Sequence, residues 1–98
     1  MSDQIRISPE RMLERSREYQ TEADNIQQVI EKMTSLIGEL QTEWEGAAST
    51  SFANQFNELK PSFINMHDLV ETISRQLSQT GQAMQQMDED ISRRFGVQ

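Results

Sequence analysis

The sequence predicts an all-α fold: an antiparallel helix-turn-helix hairpin that dimerises into a four-helix bundle. Three observations predict it. Two long stretches carry apolar residues at alternating three- and four-residue steps, which is the left-handed coiled-coil period. Between them stands Leu40-Gln41-Thr42-Glu43-Trp44-Glu45-Gly46-Ala47-Ala48 with no run of loop residues, so a tight corner joins the stretches and they must lie antiparallel. Each apolar stripe is also wider than one partner helix can cover, and two hairpins are needed to bury it.

The first helix is expected over about 8–43, after an extended or frayed end at 1–7. Ser8-Pro9-Glu10 supplies an N-cap, a proline at the first helical position and an acid in the electropositive first turn. Met12, Tyr19, Ala23, Ile26, Ile30, Met33, Ile37, Leu40 and Trp44 then recur on one face, with Ser16 as a polar break and Val29 and Leu36 widening the stripe. Gly38 costs a helix about 1 kcal/mol relative to Ala, and close packing opposite Phe52 is its expected reason.

The corner is expected at 44–46. Trp44 caps the core, Gly46 reverses the backbone with a positive φ, and Ala47 and Ala48 let the helices approach.

The second helix is expected over about 47–94, with Ser49, Thr50 or Ser51 as an alternative cap. Its stripe runs Phe52, Phe56, Leu59, Phe63, Met66, Val70, Ile73, Leu77, Thr80, Met84, Met87 and Ile91, broadened by Ile64 and Leu69. Pro61 removes a hydrogen bond and clashes with the preceding turn at a cost of about 3 kcal/mol, so a break near Lys60 competes with a kink. The apolar rhythm keeps its phase from Leu59 through Phe63 to Met66, which favours a kink near Pro61. The end at 95–98 is expected to fray.

If Trp44 packs near Ala47, residue numbers facing each other across the hairpin sum to about 91. Ser8 then meets the region of Ala83, and Met84 to Gln98 overhangs. Met84, Met87, Ile91 and Phe95 still keep helical apolar spacing there, and such a stripe without an intrachain partner is a binding surface or it frays.

Composition removes other classes of function. With 98 residues the chain is at most one domain, and its net charge of −7 opposes binding to nucleic acid or to an anionic membrane surface. There is no cysteine, so disulfides and thiolate metal sites are out. No stretch approaches the roughly 18 apolar residues of a membrane span, and the start has no apolar run of a Sec-type signal peptide.

His67 lies beside Asp68 with Glu71 one turn on. No second His or Cys completes a metal set, and the residue reads as a surface histidine. Glu39, Glu43 and Glu45 read as charges favouring the start of helix two rather than as a catalytic pair. Arg6, Arg11, Arg15 and Arg17 interleave with Glu10, Glu14 and Glu18 as a salt-bridged face, with Arg11–Glu14 and Arg15–Glu18 at three-residue spacing. No Ser–His–Asp set, phosphate loop or cofactor fingerprint is present, so the protein is not an enzyme and no cofactor is expected.

With Trp44-Glu45-Gly46 midway between two amphipathic helices, the chain resembles the Trp-X-Gly (WXG) family of hundred-residue proteins. These are small substrates of type VII, or ESX, secretion. The resemblance spans essentially all 98 residues. It implies a dimeric four-helix bundle, exported folded and uncleaved from the cytoplasm to the outside. The family's tail signal is an aromatic or apolar residue, three spacers, an acid and further apolar positions. Met84, Asp88, Ile91 and Phe95 fall on it, with Met84 standing where many members carry Tyr.

The resemblance further implies that one subunit's Trp44 and Gly46 lie beside the other's Met84 and Asp88. The composite is read by the secretion machine through its membrane-bound ATPase. Glu58-Leu59-Lys60-Pro61-Ser62-Phe63 looks like the Gram-positive branch, which tends to homodimers. A heterodimer with a related protein, and a larger co-secreted effector, are further partners it allows. The core and dimer seam is expected at Ile26, Ile30, Met33, Ile37, Leu40, Phe52, Phe56, Leu59, Phe63, Met66, Val70, Ile73 and Leu77. Three readings compete: a cytosolic adaptor for a larger toxin, a membrane-active effector using the Met-rich tail, and a purely structural coiled coil.

Overall fold

The computed structural model describes residues 7–44 and 46–94. They form two helices, α1 (Pro9–Glu43) and α2 (Ala47–Arg94), with no strand among the described residues. α1 starts where its cap dictates. Ser8 Oγ accepts the Arg11 N–H at 3.1 Å and Ser8 O accepts the Met12 N–H at 2.9 Å. α1 closes with Trp44 N–H donating to Leu40 O at 2.8 Å. Gly46 follows with φ 124°, and its carbonyl accepts the Thr50 N–H at 3.3 Å as α2 begins. The start of α2 therefore falls at Ala47 and not at a Ser49–Ser51 cap; Ser49 is buried instead. α2 continues through Pro61, which is exposed, without a break near Lys60.

The chain divides into two compact units, each an antiparallel helix pair: Thr21–Val70, and Met1–Gln20 with Glu71–Gln98. In the first, Ala23, Ile30, Ala53 and Phe56 form the buried apolar core, and the Trp44 and Phe52 rings meet at 5.6 Å between centroids. Trp44 itself is 42% exposed, so it flanks this core and does not cap it. Ala47 and Ala48 are exposed as well, and the tight packing falls at Ser49 and Ala53.

In the second unit the pairing runs through polar atoms. Ser16 Oγ donates to Ser74 O at 2.8 Å, and Ser74 Oγ donates to Ser16 O at 2.8 Å. Ser16, the polar break in the α1 stripe, thus exchanges hydrogen bonds with Ser74 between the two helices. Both hydroxyls are satisfied, which burial requires. Gly81 is buried against Leu13 and the Pro9 carbonyl. Ser16 meets Ser74 next to the Arg75 that the pairing rule selects, and Gly81 lies between Pro9 and Leu13, around the selected Glu10.

Within each unit the buried positions keep seven-residue spacing on one helix: Ala23 and Ile30 on α1 in the Thr21–Val70 unit, Ser74 and Gly81 on α2 in the other. Small side chains at Ala23 and Ala53 in the first unit and at Ser16, Ser74 and Gly81 in the second let two backbones come close. Gly38 contributes nothing to this. A methyl group there would meet nothing within 4 Å, so the expected close packing opposite Phe52 is absent.

Candidate functional site: the apolar face, the corner and the tail

Beside the small-residue seam, the Thr21–Val70 unit leaves an apolar face open. Val29, Met33, Leu36, Phe52, Leu59, Phe63, Met66 and Leu69 are all exposed, while Ile26, Ile37, Leu40 and Val70 are half-buried. A groove of about 410 Å³ lies among Ile26, Val29, Ile30, Met33, Phe63 and Met66. A second, of about 310 Å³, is lined by Ile37, Leu40, Phe52, Phe56 and Leu59 with their neighbours. Helical phase explains the division. Residues one turn to one side of the buried positions on each helix are apolar, and those on the other side are polar. Of the expected seam residues, Ile30 and Phe56 are buried within the chain, and the others stand half-buried or exposed along its flank.

The polar flank of the same unit holds His67. It is not a surface residue: its side chain is only 16% exposed, and Nδ1 lies 3.0 Å from Asp68 Oδ1. Gln27, Glu31, Thr34, Lys60 and Ile64 line the shallow groove around it. Sequence neighbours do meet here.

At the corner, Trp44 and Gly46 are both exposed, with Phe52 against the indole. Glu45 lies outside the described residues. The α1 face carries its charges as spaced pairs. Arg11–Glu14 and Arg15–Glu18 each close at 2.7 Å, and the Glu18 hydrogen bond raises the Arg15 pKa above its ordinary value.

In the tail, which belongs to the other unit, Met84 is half-buried, and Met87 (61%) and Ile91 are exposed. Ile73 and Leu77, upstream of them, are half-buried. Two aspartates two residues apart differ sharply. Asp90 accepts from Arg93 at 2.7 Å and from Gln86 at 3.1 Å. Asp88 is exposed and has no hydrogen-bond or ion-pair partner among the described residues. A carboxylate that is not neutralised internally stays available to an outside donor. Phe95 lies outside the described residues.

Two amphipathic helices turning at an exposed Trp-X-Gly, with a broad apolar face uncovered, define a small helical-hairpin protein. The family pattern described as proteins of 100 residues with WXG matches residues 4–89, and the chain belongs to this WXG family. Among its relatives is Protein YukE of Bacillus subtilis (strain 168), 36% identical over 92 residues, covering 94% of this chain and 95% of the relative. Another is the type VII secretion system extracellular protein A of Staphylococcus aureus (strain USA300), 36% identical over 94 residues, covering 96% and 97%. Geobacillus thermodenitrificans EsxA, crystal form I, superimposes with a TM-score of 0.87 at 33% identity, covering 94% of this chain and 99% of that one.

Ser16, Ser74 and Gly81 escape a reading by hydrophobicity because none of these three is apolar. The available signal was the seven-residue recurrence of small residues, at 16 and 23 on α1 and at 74 and 81 on α2.

Proposed function

We propose that this protein is a small non-enzymatic substrate of a type VII secretion system, exported as a folded homodimer and acting outside the cell or as a co-export partner. The observation that carries the reading is the full-length relationship to a type VII secretion system extracellular protein, at 36% identity over 96% of this chain.

Physical support for the dimer comes from the uncovered face. Val29, Met33, Leu36, Phe52, Leu59, Phe63, Met66 and Leu69 stand exposed on one unit, and a contiguous apolar face of that kind marks an interaction surface. Each large apolar side chain covered by a second hairpin contributes about 1.5–3 kcal/mol. A four-helix bundle of two copies would bury Val29, Met33, Phe63 and Met66.

In that dimer, Trp44 and Gly46 of one copy would lie beside Met84 and Asp88 of the other. With Ile91 and Phe95 they form the signal read by the secretion ATPase. The protein would be cytoplasmic before export.

An immunoblot of culture supernatant and cells from the native host, with a cytosolic lysis marker, tests this. Wild type outside, marker inside and Asp88→Ala retained is the expected result. Wild type confined to secretion-active cells would instead support an adaptor that stays inside.

A further inference from the structure

Gly81 sits in the interior of α2, where glycine weakens a helix relative to alanine and no positive φ calls for it. Its reason is contact. A methyl group at this position would lie 3.0 Å from Leu13 Cδ2, 3.1 Å from Leu13 Cγ and 3.2 Å from the Pro9 carbonyl oxygen. At Gly38 and Gly46 a methyl group would meet nothing within 4 Å. One heptad before Gly81, Ser74 exchanges its two 2.8 Å hydrogen bonds with Ser16.

Both contacts discriminate register and rotation. A slip of one residue removes both hydroxyls from their acceptors and brings Thr80 or Gln82 against Leu13. Apolar side chains at the same places would tolerate such slips far better, since hydrophobic contact has no direction. α2 then continues as helix to Arg94, so a tilt or rotation imposed at Gly81 carries Met84, Asp88 and Ile91 with it.

We propose that Gly81, backed by the Ser16–Ser74 pair, is a positioning residue that sets where the 84–94 segment departs from α1 and which way its apolar stripe and Asp88 face. The proposal rests on the reading of that segment as a recognised signal and assigns its orientation to a contact outside the signal. Glycine is kept at a helix-weakening position because its absent side chain defines the orientation.

The test uses the full chain. Its lack of cysteine allows unique nitroxide labels at Arg11→Cys and Gln86→Cys, diluted with unlabelled chain so that only intrachain distances are read. In Gly81→Ala, helical circular dichroism should stay equal or rise. The label separation should shift, and the secreted fraction in the native host should fall toward that of Asp88→Ala. Adding Leu13→Ala, which removes the side chain the new methyl meets, should return part of both the separation and the secretion.

Gly81→Ala secreted at the wild-type level while Asp88→Ala is retained would overturn the positioning role and leave the signal standing. Loss of helical signal in Gly81→Ala would also overturn it, making Gly81 a folding residue only. Secretion of both variants would overturn the signal reading and the proposal together.

Discussion

In the Thr21–Val70 unit the buried positions are Ala23, Ile30, Ser49, Ala53 and Phe56, flanked by the tilted ring pair of Trp44 and Phe52. In the other unit they are Ser16, Ser74 and Gly81. The first holds its helix pair by removing apolar surface from water. The second adds two reciprocal hydrogen bonds and a close approach at Gly81 to the half-buried Met12, Leu13, Ile73, Leu77 and Met84, with no large apolar side chain fully buried. Burial stabilises in proportion to area and accepts substitutes of similar volume, whereas hydrogen bonds and close contact accept few. One unit therefore carries stability, and the other carries register.

The sharpest way to break this contrast is Phe56→Ala. It should destabilise by about 3–5 kcal/mol, read by urea unfolding at fixed protein concentration, because the cavity opens in the apolar core. A cost below that of Ser74→Ala would reverse the assignment of roles.

Ser74→Ala should cost about 0.5–1.5 kcal/mol, since it removes the hydroxyl that donates to the Ser16 carbonyl while Ser16 Oγ keeps the Ser74 backbone carbonyl as its acceptor. Because each hydroxyl bonds a backbone carbonyl, Ser16→Ala combined with Ser74→Ala should cost about the sum of the two single changes. A cost clearly different from that sum would show that the two hydroxyls are coupled.

The two helical glycines sharpen the comparison further. Gly38→Ala should stabilise by up to about 1 kcal/mol, because it meets open space and improves helix propensity. The same change at Gly81 should not stabilise the fold. Thermal melts of the two variants side by side decide it.

Smallest of all is Arg11→Ala. Its ion pair with Glu14 is half exposed on both sides and should be worth a few tenths of a kcal/mol, vanishing in high salt.

Much of the architecture was legible because it rests on local chemistry. Ser8-Pro9 set the start of α1, Gly46 set the reversal, and the three-four rhythm set two helices and a register that Ser16 and Ser74 meet within one residue. The partition of side chains between the intrachain seam and the open face was not legible. Both lie on one broad stripe, and a stripe does not say which edge its own chain covers. Ser16 looked like a flaw because its hydrogen-bond partner lies 58 residues away. Gly38 looked purposeful and Gly81 did not, since only the approach of Leu13 and Pro9 distinguishes them. In the tail, the spacing of Met84, Asp88 and Ile91 was visible, but not that Asp90 is engaged by Arg93 and Gln86 while Asp88 has no hydrogen-bond or ion-pair partner among the described residues.

If a second copy covers the face bearing Val29, Met33, Phe63 and Met66, light scattering in line with size exclusion should report it, with wild type beside a Met33→Asp, Phe63→Asp double variant. Wild type should show twice the 11.4 kDa chain mass, and the variant the mass of one chain with reduced helical signal. Wild type eluting with the mass of a single, fully helical chain at every concentration would contradict the dimer.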